Sequence, residues 1–200
     1  MITCKRLKEY LDSNYPYSDT LANLSNNSNI TSQESAYDFD KIKSQIYPNC
    51  CSADALLLKK RLNLIEFKTG FSTPDSTISD KVKKENLMLK IKQKASDSLR
   101  ILDICIIEKI EKTDNDQLDG RIKKIYCAVI DSASCPVLGE EMYADIIAQA
   151  GNVYDPTSYK KLIENSLKVY QKETDCHEKL FYYETYVLYD YEFDNKVSQF

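Results

Sequence analysis

The chain has 200 residues, a length that suits one domain built around a single hydrophobic core. Apolar residues make up 42% of it and charged residues 29%, so the composition excludes a fibrous or wholly disordered protein. The formal net charge of −4 provides no overall attraction for nucleic acid, and any nucleic-acid site would have to be local.

The cysteine pattern and the N-terminus indicate a reduced, cytoplasmic compartment. Seven cysteines form an odd set without any C-x-x-C pair, which fits neither a disulfide framework nor a zinc ribbon. The N-terminal MITCKRLKEYLDS lacks the apolar stretch of a signal peptide, and no segment approaches the roughly 18 apolar residues that a membrane span requires. We therefore expect a cytoplasmic protein that does not enter a membrane.

The first 33 residues differ in composition from the rest. Residues 2–12 place apolar side chains among charges at helical spacing and predict a short amphipathic helix. Residues 13–33 are rich in Ser and Asn, which is typical of a loop. We predict an N-terminal helix and connection over 1–33, followed by a single α/β domain over 34–200.

Residues 52–71, SADALLLKKRLNLIEFKTGF, predict a β-hairpin because two short apolar runs flank a basic turn. If the turn centres on Lys60, residues whose numbers sum to 120 face each other, and Asp54 then stands opposite Glu66. Side chains alternate along a strand, so Lys68 shares a face with Glu66 and lies diagonal to Asp54.

The remaining segments alternate between helical and strand patterns. Ser, Thr and Pro before residue 77 provide helix-capping candidates, and Asp155 before Pro156 has the form of an N-cap and first helical residue. We predict, in chain order, a helix of about 20 residues from near Ser76, more helix over 99–110, a strand over 122–132, helices over 139–150 and 155–172, and a Tyr-rich strand over 181–193. The predicted fold is α/β, with a mixed central β-sheet flanked by helices.

Two facing carboxylates carry a chemical implication. Like charges directly opposite each other are destabilising unless something neutralises them. A divalent cation would do so, because Mg²⁺ is held in proteins by one or two carboxylates together with water and substrate phosphate oxygens. The Asp54 and Glu66 pair therefore indicates a magnesium or manganese site.

Asp54, eleven intervening residues and then Glu66-Phe67-Lys68 at the end of an apolar strand resemble the motif of the PD-(D/E)XK nuclease superfamily. The resemblance covers roughly residues 34–131 and implies a restriction-endonuclease-like core. It also implies that Asp54 and Glu66 hold Mg²⁺ or Mn²⁺ and that Lys68 positions the attacking water. Glu34 is the first candidate for a further acidic ligand on the preceding helix, with Glu9 the second.

The activity that this resemblance implies is metal-dependent hydrolysis of phosphodiester bonds in DNA or RNA. Four lysines of the helix after the motif are candidates for contacts to backbone phosphates, although lysine runs are usually solvated helix faces: Lys81, Lys83, Lys84 and Lys90. A Lys- and Asn-rich, Arg-poor composition suggests an AT-rich bacterial or phage genome, and with it a defence or mobile-element nuclease. Aromatic strands usually face the core, but the terminal tyrosines could also stack nucleic-acid bases or, as the favoured of these two functions, form an interface with a second copy or a partner protein: Tyr182, Tyr183, Tyr186, Tyr189 and Tyr191.

Two other interpretations stay open. In the first, Asp54 only begins a strand while Glu66 and Lys68 are exposed positions, since E-x-K is common in amphipathic strands. In the second, the fold is PD-(D/E)XK-like but serves binding or assembly, with a catalytically silent site. The observation that separates them from a metal site is whether Asp54 and Glu66 oxygens converge on one cation position, at the roughly 2.0–2.6 Å of metal coordination.

Overall fold

The structure is a computed structural model, and it describes residues 1–72, 77–115, 117–131, 156–172 and 179–200. The helices are α1 (Cys4–Asn14), α2 (Leu21–Ser25), α3 (Phe39–Ile46), α4 (Ile78–Arg100), a π-helix (Ile101–Ile107), α5 (Glu108–Asp114), α6 (Pro156–Leu167), a 3₁₀ turn (Lys168–Tyr170) and α7 (Asp190–Val197). The strands are β1 (Ser18–Thr20), β2 (Ser35–Asp38), β3 (Ala55–Leu58), β4 (Leu62–Lys68), β5 (Lys124–Ile130) and β6 (Glu184–Tyr189).

The six strands form one mixed sheet in the order β1-β2-β3-β4-β5-β6. Neighbours from β1 to β4 pair antiparallel, whereas β5 pairs in parallel with both β4 and β6. Parallel neighbours need a long crossover, and α4, the π-helix and α5 make the one between β4 and β5. The predicted α/β fold with a mixed sheet flanked by helices is confirmed.

The hairpin of β3 and β4 has the register that the sequence predicts. Leu56 pairs with Leu64 and Leu58 pairs with Leu62, so the turn centres on Lys60. A one-residue slip would turn every buried side chain of β4 to the opposite face, and for this reason the apolar pattern fixes the register.

The two faces of the sheet pack against different helices. Leu62 and Leu64 of β4 belong to the larger hydrophobic core with residues of α1, α4 and the π-helix, including Leu7, Ile91 and Leu102. Ile65 belongs to a smaller core on the opposite face with Phe193 of α7. Glu66 and Lys68 follow Leu62 and Leu64 in the alternation, so they lie on the α4 side of the sheet.

Helix α4 begins where the sequence predicts. The Thr77 hydroxyl accepts a hydrogen bond from the Asp80 N–H, and the Asp80 carboxylate accepts one from the Thr77 N–H. This reciprocal arrangement satisfies two of the backbone donors that a helix start leaves free. The helix runs for 23 residues and passes directly into the π-helix and α5, so the predicted helix over 99–110 is also confirmed.

Two segments depart from the predictions. The predicted loop over 13–33 contains β1 and α2, and Thr20 caps α2 by accepting a hydrogen bond from the Asn23 N–H. The predicted strand over 181–193 ends at Tyr189, where α7 begins, because the Glu192 carboxylate accepts a hydrogen bond from the Tyr189 N–H at 2.7 Å. The predicted helix over 139–150 and the Asp155 cap lie outside the described residues.

In the part of the chain that the structure describes, no helix is both long and apolar enough to cross a membrane. Five described cysteines carry free thiols: Cys4, Cys50, Cys51, Cys105 and Cys127. The remaining two cysteines and the single histidine, His177, lie outside the described residues.

Candidate active site

The predicted site residues gather at the carboxyl end of β4. Asp54 lies directly before β3, and because β3 runs antiparallel to β4 it comes beside Glu66 near the end of β4. In open sheets with parallel strands, ligands bind outside the carboxyl ends of those strands. The location is therefore one that this type of sheet leaves available for chemistry.

The Asp54 side chain is held by the opposite strand. Its backbone N–H donates to the Ile65 carbonyl at 3.0 Å, and its Oδ2 accepts a hydrogen bond from the Phe67 N–H at 2.7 Å. A carboxylate fixed by a backbone donor cannot rotate freely. The second oxygen, Oδ1, consequently points to a defined place between the hairpin and α4.

That place is occupied by the ammonium group of Lys94 on α4. Its Nζ donates to Asp54 Oδ1 at 2.9 Å and to Glu66 Oε2 at 2.8 Å, so the two carboxylates converge on one cation. Burial alone would lower the pKa of Lys94, but Glu66 and Asp54 more than offset this and raise it. The ammonium stays charged at neutral pH.

The sequence-based prediction did not include Lys94. It is one of six lysines between residues 81 and 94, and residue type does not distinguish it from the others. The available signal was helical spacing, because Lys94 follows Ile91 by three residues and precedes Ala95, both of which are buried against the sheet.

Glu66 is fully buried, with no exposed surface. Burial raises the pKa of its carboxyl well above the ordinary range, the Asp54 carboxylate raises it further, and Lys94 and Lys68 oppose the rise. While Oε2 accepts from Lys94, Oε1 has no hydrogen-bond partner among the described residues. A buried carboxylate oxygen without a partner is costly, so one ammonium leaves this pair of acids incompletely satisfied.

Lys68 completes the predicted set. Its side chain is half-buried and close enough to Glu66 to lower the pKa of that carboxyl. Within the described residues its ammonium makes no hydrogen bond or ion pair. Lys68 is therefore not ion-paired with any described residue, and Lys94 is the lysine that neutralises Asp54 and Glu66.

Helix α4 also braces the chain on its way into Asp54. Asp97 accepts a hydrogen bond from the Cys51 N–H at 3.1 Å, and the Ser98 hydroxyl accepts one from the Ala53 N–H at 2.7 Å. Three side chains of one helix thus contact the hairpin entry or the site itself. Neither Asp97 nor Ser98 was predicted from the sequence.

The carboxylate oxygens of Asp54 and Glu66 fit Mg²⁺, which keeps water ligands, better than they fit a metal whose ligands all come from the protein. Mg²⁺ binds through one or two carboxylates and keeps several waters, and Asp54 and Glu66 supply two carboxylates with one unpartnered oxygen. No group of three or more His, Cys, Asp or Glu side chains that could hold a metal is present among the described residues.

The structure places Glu34 away from this site. It lies immediately before β2 rather than on a helix, and its carboxylate pairs with Lys59 at 2.7 Å, beside the hairpin turn. The turn and Asp54 lie at opposite ends of β3, which spans on the order of 13 Å. Glu9, on α1, pairs at 3.9 Å with Lys5 on its own helix.

The four candidate phosphate-binding lysines differ in exposure. Lys81, Lys83 and Lys90 are exposed on α4, and the Lys83 Nζ lies 3.6 Å from the Asp80 Oδ1. Lys84 is 1% exposed, with its ammonium 5.0 Å from the ring centroid of Tyr159. Lys90 and Lys94 are one turn apart, so Lys90 is the exposed lysine of the four that lies nearest to Lys94 along the helix.

A polar cleft of about 720 Å³ reaches Asp54 from the side of α2 and α3. Asp38, Asp40, Lys41 and Thr69 are among the residues that line it. The Asp54 side chain is 20% exposed, so one of the two carboxylates can be reached from this cleft.

The resemblance to PD-(D/E)XK nucleases stays a prediction from Asp54, Glu66 and Lys68. Comparisons of the chain with protein-family models, with curated proteins and with solved structures found no match.

Proposed function

We propose that this chain is a metal-dependent nuclease that hydrolyses phosphodiester bonds in nucleic acid, with DNA as the first substrate to test. The observation that supports the proposal is the convergence of Asp54 and Glu66 on one cation position at the carboxyl end of β4. A fully buried carboxyl group beside a second one is costly, and carboxyl groups with pKa values perturbed in this way cluster at functional sites.

Each residue has a distinct role in this proposal. Asp54 and Glu66 would hold the divalent cation, which would supply a Lewis acid to stabilise charge on the phosphate. Lys68, on the same face two residues after Glu66, orients the attacking water and offers a positive charge beside the scissile phosphate. Lys90 and its exposed neighbours on α4 would contact the nucleic-acid backbone.

The experiment is a cleavage assay on single- and double-stranded DNA and RNA in Mg²⁺, Mn²⁺ or Ca²⁺, joined to calorimetry for metal binding. Asp54→Ala and Glu66→Ala should abolish both cleavage and binding because each removes a ligand. Lys68→Ala should keep metal binding and lose most of the rate. Ca²⁺ should bind but give little turnover, since its looser coordination shell orients the nucleophile poorly.

The matched control is Glu85→Gln, which removes an exposed carboxylate of α4 outside the site. It should cleave as the wild type does. Cleavage that survives Glu66→Ala would show that the chemistry lies elsewhere or comes from a contaminant. A wild-type protein that neither cleaves nor binds a divalent cation would overturn the proposal.

A second candidate function is a binding or assembly module with a silent site. One observation favours it: Lys94 already neutralises Asp54 and Glu66, so the fold holds its acids without a metal. In this case the cleavage and calorimetry experiments would both be negative for the wild type. Glu66→Gln would then change stability and no other property.

A further inference from the structure

The two oxygens best placed to hold a metal are the two that Lys94 already holds. Asp54 Oδ2 is engaged by the Phe67 N–H, which leaves Oδ1 as the oxygen that faces Glu66. Oδ1 and Glu66 Oε2 lie 2.9 and 2.8 Å from the same nitrogen. A magnesium ion needs oxygens at about 2.0–2.1 Å, so a cation bound between these atoms would overlap the ammonium.

We infer that Lys94 competes with the divalent cation for the position between Asp54 and Glu66, so that metal enters the site only as the Lys94 ammonium leaves it. This inference rests on the proposed function, because it concerns the metal of the same site. It makes Lys94 a residue that sets metal affinity, distinct from the ligands and from Lys68.

Glu66 explains why the exchange can proceed. A single ammonium satisfies Oε2 and leaves Oε1 without a partner among the described residues, in a side chain with no exposed surface. A divalent cation carries twice the charge and brings bound waters, so it can satisfy both carboxylates more fully than Lys94 does.

The position of Lys94 gives its ammonium a way out. The side chain is 18% exposed, and Lys90, one helical turn earlier, is exposed to solvent. Lysine has a flexible four-carbon stem whose charged end readily reaches water while the stem stays packed. The released charge would remain near the metal site.

Competition of this kind has a measurable consequence. If only a small fraction of the molecules has the carboxylate pair free of Lys94, the apparent affinity for metal is the intrinsic affinity multiplied by that fraction. Neutralising Lys94 should therefore tighten metal binding. A lysine with a purely structural role would, on removal, loosen the site and weaken binding or leave it unchanged.

The test is calorimetric titration of the full chain with MnCl₂, without substrate, for the wild type, Lys94→Met and Lys92→Met. Lys92→Met is the matched control, since it removes a charge two residues away on the same helix. We expect the dissociation constant of Lys94→Met to fall at least about tenfold and that of Lys92→Met to stay at the wild-type value. The gain should vanish in Lys94→Met/Glu66→Gln.

Lys94→Gln serves as a second neutral variant if Lys94→Met does not fold, because its amide can still donate to the carboxylates. Circular dichroism establishes which variants fold, and the folded one should bind Mn²⁺ more tightly than the wild type. Equal or weaker binding by the folded variant, with a binding wild type, would overturn the inference and leave the proposed function standing. Binding by none of the proteins would overturn both, and a gain that survives Glu66→Gln would place the metal elsewhere.

Discussion

The hydroxyl of Ser98 on α4 accepts a hydrogen bond at 2.7 Å from the backbone N–H of Ala53, the residue before Asp54. Both residues are fully buried, so water does not reach the donor. The bond fixes the position of the backbone at the start of β3 relative to α4. The orientation of the Asp54 carboxylate therefore depends on a neutral side chain that takes no part in neutralising it.

Ser98→Ala should destabilise the fold by about 1–3 kcal/mol, because it leaves the buried Ala53 N–H without an acceptor. Urea unfolding monitored by circular dichroism measures this loss. The matched control is Ser96→Ala on the same helix, whose hydroxyl makes no side-chain hydrogen bond among the described residues, and it should change stability little. Equal stability of both variants would mean that the hydrogen bond contributes nothing.

Glu66→Gln should alter how stability depends on pH. The folded state raises the Glu66 pKa above its ordinary value of 4.5, so the folded protein retains a proton that the unfolded chain has lost. That contribution is complete below pH 4.5 and disappears as pH rises through the folded pKa. The groups around Glu66 that share in this balance are Asp54, Lys68, Lys94 and the buried Tyr126.

The measurement is the free energy of unfolding in urea between pH 5 and pH 8. The wild type should lose stability relative to Glu66→Gln as pH increases over this range, while Glu85→Gln should follow the wild type. A wild type that gained stability relative to Glu66→Gln with rising pH would show that Lys94 outweighs burial and Asp54.

Gly70→Ala should cost about 1–3 kcal/mol, because Gly70 has a φ of +111°, a conformation that residues with a side chain rarely adopt. An added Cβ would also come within 2.9 Å of Leu87 Cδ1 on α4. Comparison with Gly70→Ala/Leu87→Ala separates the two effects in thermal unfolding. A double variant restored to the stability of Leu87→Ala would mean that the contact, not the backbone, is the cause.

Lys124→Met should destabilise the protein by about 3–5 kcal/mol, since it leaves the Asp103 carboxylate buried without its cation. The Lys124 side chain is 3% exposed and that of Asp103 is 2% exposed, and the Lys124 Nζ lies 2.6 Å from the Asp103 Oδ2. Lys112→Met removes a lysine from an exposed pair with Glu108 and should have little effect in the same urea titration. Similar effects from the two variants would contradict the role assigned to burial.

The sequence predicted the hairpin and the carboxylate pair because both depend on local rules. Alternation of apolar residues around Lys60 fixes the register, and the register alone brings Asp54 to Glu66. The start of α4 near Ser76 was likewise predicted, although the residue that caps it is Thr77, one position after the predicted candidates. The metal, the activity and the nucleic-acid contacts stay predictions.

Lys94 and Ser98 escaped prediction because they act across long sequence separations. Lys94 and Asp54 are 40 residues apart in the sequence. Which lysine of α4 contacts Asp54 depends on how the helix is rotated against the sheet. The end of β6 at Tyr189 was missed for a different reason, because the aromatic residues Tyr191 and Phe193 continue the strand pattern past the point where the Glu192 carboxylate caps a helix. A local helix cap overrides strand propensity at this boundary.

The two buried ion pairs of the crossover have opposite polarity. The helix contributes the cation at Lys94, near the end of β4, and the anion at Asp103, near the start of β5. From Lys94 to Asp103 the chain advances by nine positions, roughly 13 Å of helix, and from Leu62 to Glu66 it advances by four positions, roughly 13 Å of strand. A helix laid down in the reverse direction would bring Lys94 to Lys124 and Asp103 to Glu66, each against a like charge. The two pairs thus select one direction of the crossover helix and one position of that helix along β4 and β5.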